Sequence, residues 1–197
     1  MHILSMRFKS GRSDEEQEAI SRSSLPLFRN LAALKQKYYV RNHASGEVGG
    51  IYVWETSESL RDYLDGPIVK SVPDRFAVVG PVRIETFEVG GALTNDMTLA
   101  VKPMMSVVRF VSNKSESDLQ AISSASLPSY RSTAGLAQVY RVKSTETREV
   151  GGMYLWENEE SMRGNLDGPN VSAIPAVFDV DGEVGIEVLE VRLILNQ

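Results

Sequence analysis

The segment Val48-Gly49-Gly50-Ile51-Tyr52-Val53-Trp54-Glu55 recurs as Val150-Gly151-Gly152-Met153-Tyr154-Leu155-Trp156-Glu157, a displacement of 102 positions. The same displacement carries Arg7-Phe8 onto Arg109-Phe110, Leu25-Pro26 onto Leu127-Pro128, Asp65-Gly66-Pro67 onto Asp167-Gly168-Pro169, and Glu88-Val89 onto Glu190-Val191. About 40 of about 90 aligned positions match without a gap, more than shared periodicity produces. The chain is a tandem duplication, so whatever one copy folds into must suit the other. The joint is expected among the loop formers Gly90-Gly91-Ala92-Leu93-Thr94-Asn95-Asp96, giving domains over 1–96 and 97–197.

Composition narrows the chemistry. With 42 % apolar and 24 % charged residues, the 197-residue chain reads as soluble and globular. No apolar run reaches the roughly 18 to 20 residues of a spanning helix. The start, MHILSMRFKSGRSDEE, turns polar too early for a signal peptide, so the expected address is cytoplasmic, with no membrane partner. The absence of cysteine removes disulfides, thiolate nucleophiles and cysteine-bound metals, and two histidines leave little for a metal centre. A net charge of −5 argues against a nucleic-acid partner. Residues 1–102 carry 13 basic and 13 acidic side chains and residues 103–197 carry 8 and 13, so the excess lies in the second copy.

Each copy reads as strand, helix, strand, strand, helix, strand. Ile3 to Phe8 alternates as a strand, and Ser13-Asp14-Glu15-Glu16 is a capping box that opens a helix. Ala19, Ile20, Leu27, Phe28, Leu31 and Leu34 form its apolar stripe. Pro26, repeated as Pro128, predicts a kink or split in that helix. Lys37 to Arg41 and Val48 to Glu55 read as strands joined by a polar loop. Thr56 and Asn158 cap helices over Ser57 to Leu64 and Glu159 to Leu166, which Gly-Pro terminates, and Val82 to Val89 is the last strand. The order βαββαβ is ferredoxin-like and leaves one sheet face bare. The expected fold class is therefore α+β, two tandem ferredoxin-like domains packed sheet to sheet as a single-chain pseudo-dimeric α+β barrel.

The motifs VGGIYVWETSESLRDYLDGP and VGGMYLWENEESMRGNLDGP resemble those of the YdhR-like mono-oxygenases of the dimeric α+β barrel superfamily. Arg-Phe of the first strand, Pro26-Phe28-Arg29, Pro128-Tyr130-Arg131 and the Lys-Tyr-Tyr of the second strand carry the same resemblance. It spans nearly all of each copy, whereas such members usually hold one copy per chain and pair two chains. The resemblance implies oxygen insertion without a cofactor into a small aromatic, phenolic or quinol substrate, in a pocket between helices and sheet. More distant quinol and antibiotic-biosynthesis mono-oxygenases carry a histidine on the second helix, where this chain has Tyr63 and Asn165. These two positions are the candidate catalytic residues, and their difference implies inequivalent pockets. Haem degradation would need an axial ligand that only His2 or His43 offers.

On a strand Tyr52 and Trp54 share a face with Gly50, whose small size leaves room for a flat ligand; core filling is the competing reading. Tyr52, Trp54, Tyr154 and Trp156 are the candidate aromatic walls. Arg29 and Arg131 are candidates for an anionic group or for a solvated helix face, and Tyr38 and Tyr140 for hydrogen bonds to a phenol or quinol oxygen. Arg7 and Arg109 are expected to pair with Glu85 and Glu187 across the sheet, His43 to be a surface residue, and Asp65 and Asp167 to serve turns. No metal set is read. The expected partner is a small apolar or aromatic molecule, within an intramolecular pseudo-dimer, a further homodimer being left open. Two other readings stand beside the enzyme: a non-catalytic ligand-binding or stress-related barrel, and an isomerase of the same superfamily.

Overall fold

The computed structural model describes residues 1–99 and 102–196. The first copy supplies β1 (His2–Ser10), α1 (Asp14–Ser23), α2 (Leu25–Arg29), β2 (Leu34–Arg41), β3 (Val48–Trp54), α3 (Ser57–Asp65), α4 (Pro67–Lys70), α5 (Val72–Phe76) and β4 (Val78–Thr94). The second supplies β5 (Met104–Ser112), α6 (Glu116–Ser126), a 3₁₀ helix (Leu127–Ser132), β6 (Leu136–Ser144), β7 (Glu149–Trp156), α7 (Glu159–Leu166), α8 (Pro169–Ser172), α9 (Ile174–Phe178) and β8 (Val180–Ile194). The hydrogen-bonded strand order is β1-β3-β2-β8-β5-β7-β6-β4, a closed barrel of the α+β class expected from the repeat. Among the described residues no helix is long and apolar enough to cross a membrane.

The chain divides into unit 1, Met1–Phe87 with Val191–Gln197, and unit 2, Glu88–Glu190. In unit 1, β3 lies between β1 and β2, antiparallel to both, with Gly49 opposite Arg7 and Gly50 opposite Met6. The edge of β2 is met by the end of the chain, where the Leu195 amide donates to the Lys37 carbonyl at 2.9 Å. In unit 2, β7 lies between β5 and β6, and β5 also pairs with β8. There the Asn95 amide donates to the Ala137 carbonyl at 2.9 Å.

The predicted loop at the joint differs from what is found, because β4 runs on through Gly90 and Gly91 to Thr94. Strand pairing satisfies backbone groups whatever the side chain, so glycine composition does not end a strand whose amides and carbonyls have partners. The capping box forms as expected: Glu16 N donates to Ser13 Oγ at 3.3 Å and Ser13 N to Glu16 Oε2 at 2.8 Å. The prolines split the first helix of each copy, Pro26 opening α2 and Pro128 the 3₁₀ helix, where a missing amide costs nothing. Thr56 and Asn158 cap α3 and α7. The short helices after each Gly-Pro are additions that the apolar pattern, only four or five residues long, does not announce.

Arg7 donates to Glu85 Oε2 at 3.0 Å and Arg109 to Glu187 Oε1 at 3.0 Å, the cross-sheet pairs expected from the repeat. The two glycines of each Gly-Gly have separate duties. A side chain at Gly49 or Gly151 would collide with the β1 carbonyl of Met6 or the β5 carbonyl of Val108. A Cβ at Gly50 would stand 2.8 Å from the Tyr52 ring, and one at Gly152 would stand 2.5 Å from the Tyr154 hydroxyl. Those spaces are the beds of the two tyrosines.

Candidate functional site

Alternation along β2 and β3 sets Lys37, Tyr39, Tyr52 and Trp54 on the face that the helices cover in unit 1. Phe28 from α2 and Tyr63 from α3 close over them, and the rings touch in a chain: Phe28 to Tyr52 at 5.9 Å, Tyr52 to Tyr63 at 5.4 Å, Tyr63 to Trp54 at 5.0 Å between centroids. Inside this shell lies a cavity of about 60 Å³ whose lining includes Phe28, Lys37, Tyr39, Tyr52, Tyr63 and Arg75. Lys37 is 4 % exposed, with Nζ 3.4 Å from the Phe28 ring centroid, 3.8 Å from Tyr39 and 4.6 Å from Tyr52. Ring faces attract an ammonium. Burial outweighs them and, with the charge of Arg75 adding to it, holds the amine well below the usual lysine range.

The same shell keeps its tyrosines protonated. Burial raises Tyr39 and Tyr52, the second also through the neighbouring Tyr63, and pushes Tyr63 up to about 12. Tyr39 shares a hydrogen bond of 2.8 Å with Ser24. The Trp54 indole N–H and the Tyr63 hydroxyl are buried with no hydrogen-bond partner among the described residues. Trp54 stands outside the Lys37 cavity, on an adjoining groove of about 420 Å³ that Tyr63 also lines.

Unit 2 builds the same site from different groups. The place of Lys37 is taken by Val139 and that of Tyr39 by Arg141, so the cation moves two residues along the same strand face. Arg141 donates to the Tyr154 hydroxyl at 2.9 Å, the Ser126 hydroxyl at 2.9 Å and the Tyr130 hydroxyl at 3.1 Å. Its Nε is buried with no partner among the described residues. The cavity beside it measures about 200 Å³ and is lined by Tyr130, Arg141, Tyr154 and Asn165, among others. A second opening of about 480 Å³ shares Phe110, Arg141, Gly151 and Phe178 with it. Asn165 in place of Tyr63, and Val177 in place of Arg75, account for the added room. Burial raises Tyr154, the Arg141 charge opposing it, so its hydroxyl stays a donor.

Of the residues named from sequence, Tyr52 and Tyr63 line the unit 1 cavity and Tyr154 and Asn165 the unit 2 cavity. Trp156 is buried beneath and donates from Nε1 to Ser106 Oγ at 2.9 Å. Four others stand away from these cavities. Arg29 is exposed and points Nη2 at the Leu195 carbonyl 3.4 Å away, and Arg131 is exposed on the 3₁₀ helix. Tyr38 and Tyr140 follow Lys37 and Val139 by one residue, so strand alternation turns them to the opposite sheet face. The room ascribed to Gly50 is taken by the Tyr52 ring and the Lys37 stem, whose Cε is 3.2 Å from where a Cβ would be. His43 is exposed, as expected. Sequence reading missed Lys37, Arg75 and Arg141. A signal existed: Lys37 and Arg141 are charges on strand faces otherwise apolar, and each breaks the repeat.

No family model matches the chain, and no curated protein matches it. Solved structures do. A provisionally named monooxygenase of Fusobacterium nucleatum subsp. nucleatum superposes with a TM-score of 0.74 at 11 % identity, over 98 % of this chain and 93 % of that one. A similarly named protein of Lactobacillus acidophilus gives 0.69 at 11 %, over 98 % and 94 %. An anthrone oxidase-like protein gives 0.63 at 15 %, over 98 % and 91 %. These likenesses show the fold alone, an α+β fold shared over nearly the whole of each chain.

Proposed function

We propose that this chain is a cofactor-independent monooxygenase-like enzyme whose unit 2 cavity binds a small phenol or quinol as its anion. The observation that carries the reading is the Arg141 guanidinium, which donates to the hydroxyls of Tyr154, Tyr130 and Ser126 at the wall of a 200 Å³ cavity. A volume of about 150 Å³ holds a benzene ring, so one substituted ring fits. Because Arg141 occupies the tyrosine lone pairs, the tyrosine protons are free to donate to a substrate oxyanion. Arg141 supplies the charge, and Asn165 in the same lining offers a further amide.

The reaction this environment suits is phenol plus dioxygen giving quinone plus water. A bound phenolate passes one electron to dioxygen, the resulting pair joins at the ring carbon opposite the oxygen, and the hydroperoxide so formed loses water to leave the second carbonyl. Arg141 and the two tyrosines hold the oxyanion throughout, and the apolar walls exclude water from the peroxide. The fold neighbours named as monooxygenases and as anthrone oxidase-like support the reading at the level of fold. Tyr63 and Tyr52 form the corresponding wall in unit 1.

A second reading has its own support. Among the described residues lining the unit 2 cavity there is no carboxylate and no imidazole, so it holds no ordinary base to deprotonate a neutral phenol. A site of that kind also suits a barrel that binds an aromatic anion without turning it over. An oxygen electrode with a panel of phenols and quinols, followed optically for quinone, separates the two. The enzyme consumes one dioxygen per quinone formed; binding without uptake above the blank leaves the second reading.

A further inference from the structure

We propose that the unit 1 cavity is a separate covalent site, in which the Lys37 amine condenses with the carbonyl of a short 2-oxo acid whose carboxylate is held by Arg75. The nucleophile is set up by its surroundings. Lys37 is 4 % exposed and pairs with no carboxylate among the described residues. The three ring faces within 4.6 Å of Nζ attract an ammonium, but the loss of water around it outweighs them and favours the uncharged, reactive amine.

The anion partner is present as well. Arg75 lines the same cavity, its charge reaches the Lys37 amine, and it pairs with no carboxylate among the described residues. The other charged groups of the lining are engaged: Glu18 is 2.8 Å from Arg22, and Arg192 is 3.8 Å from Asp14. The second copy gives an internal comparison. It replaces Lys37 by Val139 and Arg75 by Val177, so amine and guanidinium are absent together.

Size sets the ligand class. One water needs roughly 10 to 15 Å³ of such space, so about 60 Å³ takes about four to six non-hydrogen atoms. Glyoxylate and pyruvate fit that limit, whereas a ring bearing a substituent, such as a phenol, exceeds it. In the reaction the amine nitrogen bonds to the carbonyl carbon, its protons pass to the oxygen, and the carbon–oxygen bond breaks to release water. The product is a neutral imine, formed without oxidant or reductant. The aromatic walls keep bulk water from reversing it, and the buried Tyr63 hydroxyl stands by as a donor to the departing oxygen. The site is independent of the phenol reading, which belongs to unit 2.

The test is reductive trapping. The full chain is incubated near neutral pH with glyoxylate and cyanoborohydride, then read by intact mass and peptide mapping. The expected result is one carboxymethyl group on Lys37, at least about tenfold above any of the other six lysines, because the buried amine is uncharged where theirs are protonated. Arg75→Gln should lower glyoxylate trapping at Lys37 about tenfold and leave propanal trapping there within about twofold, because only the first carries a carboxylate. Label spread evenly over the exposed lysines, or no adduct, overturns the site. Equal loss of glyoxylate and propanal in Arg75→Gln overturns the role given to Arg75. The mapping on the unaltered chain decides the main claim even where a variant folds poorly.

Discussion

Lys37 Nζ stands 3.4 Å from the centroid of the Phe28 ring, and no carboxylate stands with it. A lysine in that setting gives up its proton far more readily than one in water. The unfolded chain therefore holds a proton that the folded chain has lost, over a window reaching from the lowered value up to 10.5. In that window folding stability rises with pH.

Lys37→Met tests this. The variant removes the titrating group, so the stability difference, variant minus wild type, should shrink as pH rises toward 10.5, by at most about 1.4 kcal/mol per pH unit. Urea unfolding of both proteins from pH 6 to pH 10 reads it. A difference independent of pH means that Lys37 titrates as an ordinary lysine.

Tyr63 gives the opposite sign at the alkaline end. Its folded value of about 12 lies above the ordinary 10.0, so its contribution is whole below pH 10.0 and is lost as pH rises toward 12. Tyr63→Phe should remove part of the alkaline loss of stability, seen as a shallower fall of Tm between pH 10 and pH 12. An unchanged slope would place the Tyr63 hydroxyl in water.

The two tryptophans predict unequal costs. Trp156 donates to Ser106, which is 0 % exposed, whereas the Trp54 N–H has no partner among the described residues and the place of Ser106 is held by Leu4. Trp156→Phe therefore loses a buried hydrogen bond that Trp54→Phe does not. Its unfolding free energy should fall by about 1 to 3 kcal/mol more, since a buried hydroxyl is left unsatisfied. Equal losses in urea would show that the Ser106 bond does not distinguish the copies.

The fold was legible because its determinants are repeated and local. The capping box, the Pro26 and Pro128 breaks, the Gly-Gly of β3 and β7 and the Arg7–Glu85 pairing each follow from spacing alone. The strand through Gly90 and Gly91 was not legible, because it is set by pairing partners remote in sequence. The aromatic wall of the site could be read from Tyr52 and Tyr154. Its charged centre could not, because attention to repeated residues passes over Lys37 and Arg141, which differ between copies. Arg29 and Arg131 repeat and yet stand at the surface, since a helix face seen in sequence does not say which turn is exposed once a proline has split it.

The central claim is that the two copies of one motif hold different chemistry, with the aromatic anion going to Arg141. Calorimetric titration with 4-nitrophenolate, which resists oxidation, tests it in three proteins: wild type, Arg141→Met and Lys37→Met. Arg141→Met should bind about 10- to 100-fold more weakly, the worth of a charge-assisted hydrogen bond, and Lys37→Met should stay within about threefold of wild type. Unchanged affinity in Arg141→Met, or loss in Lys37→Met instead, would contradict the assignment.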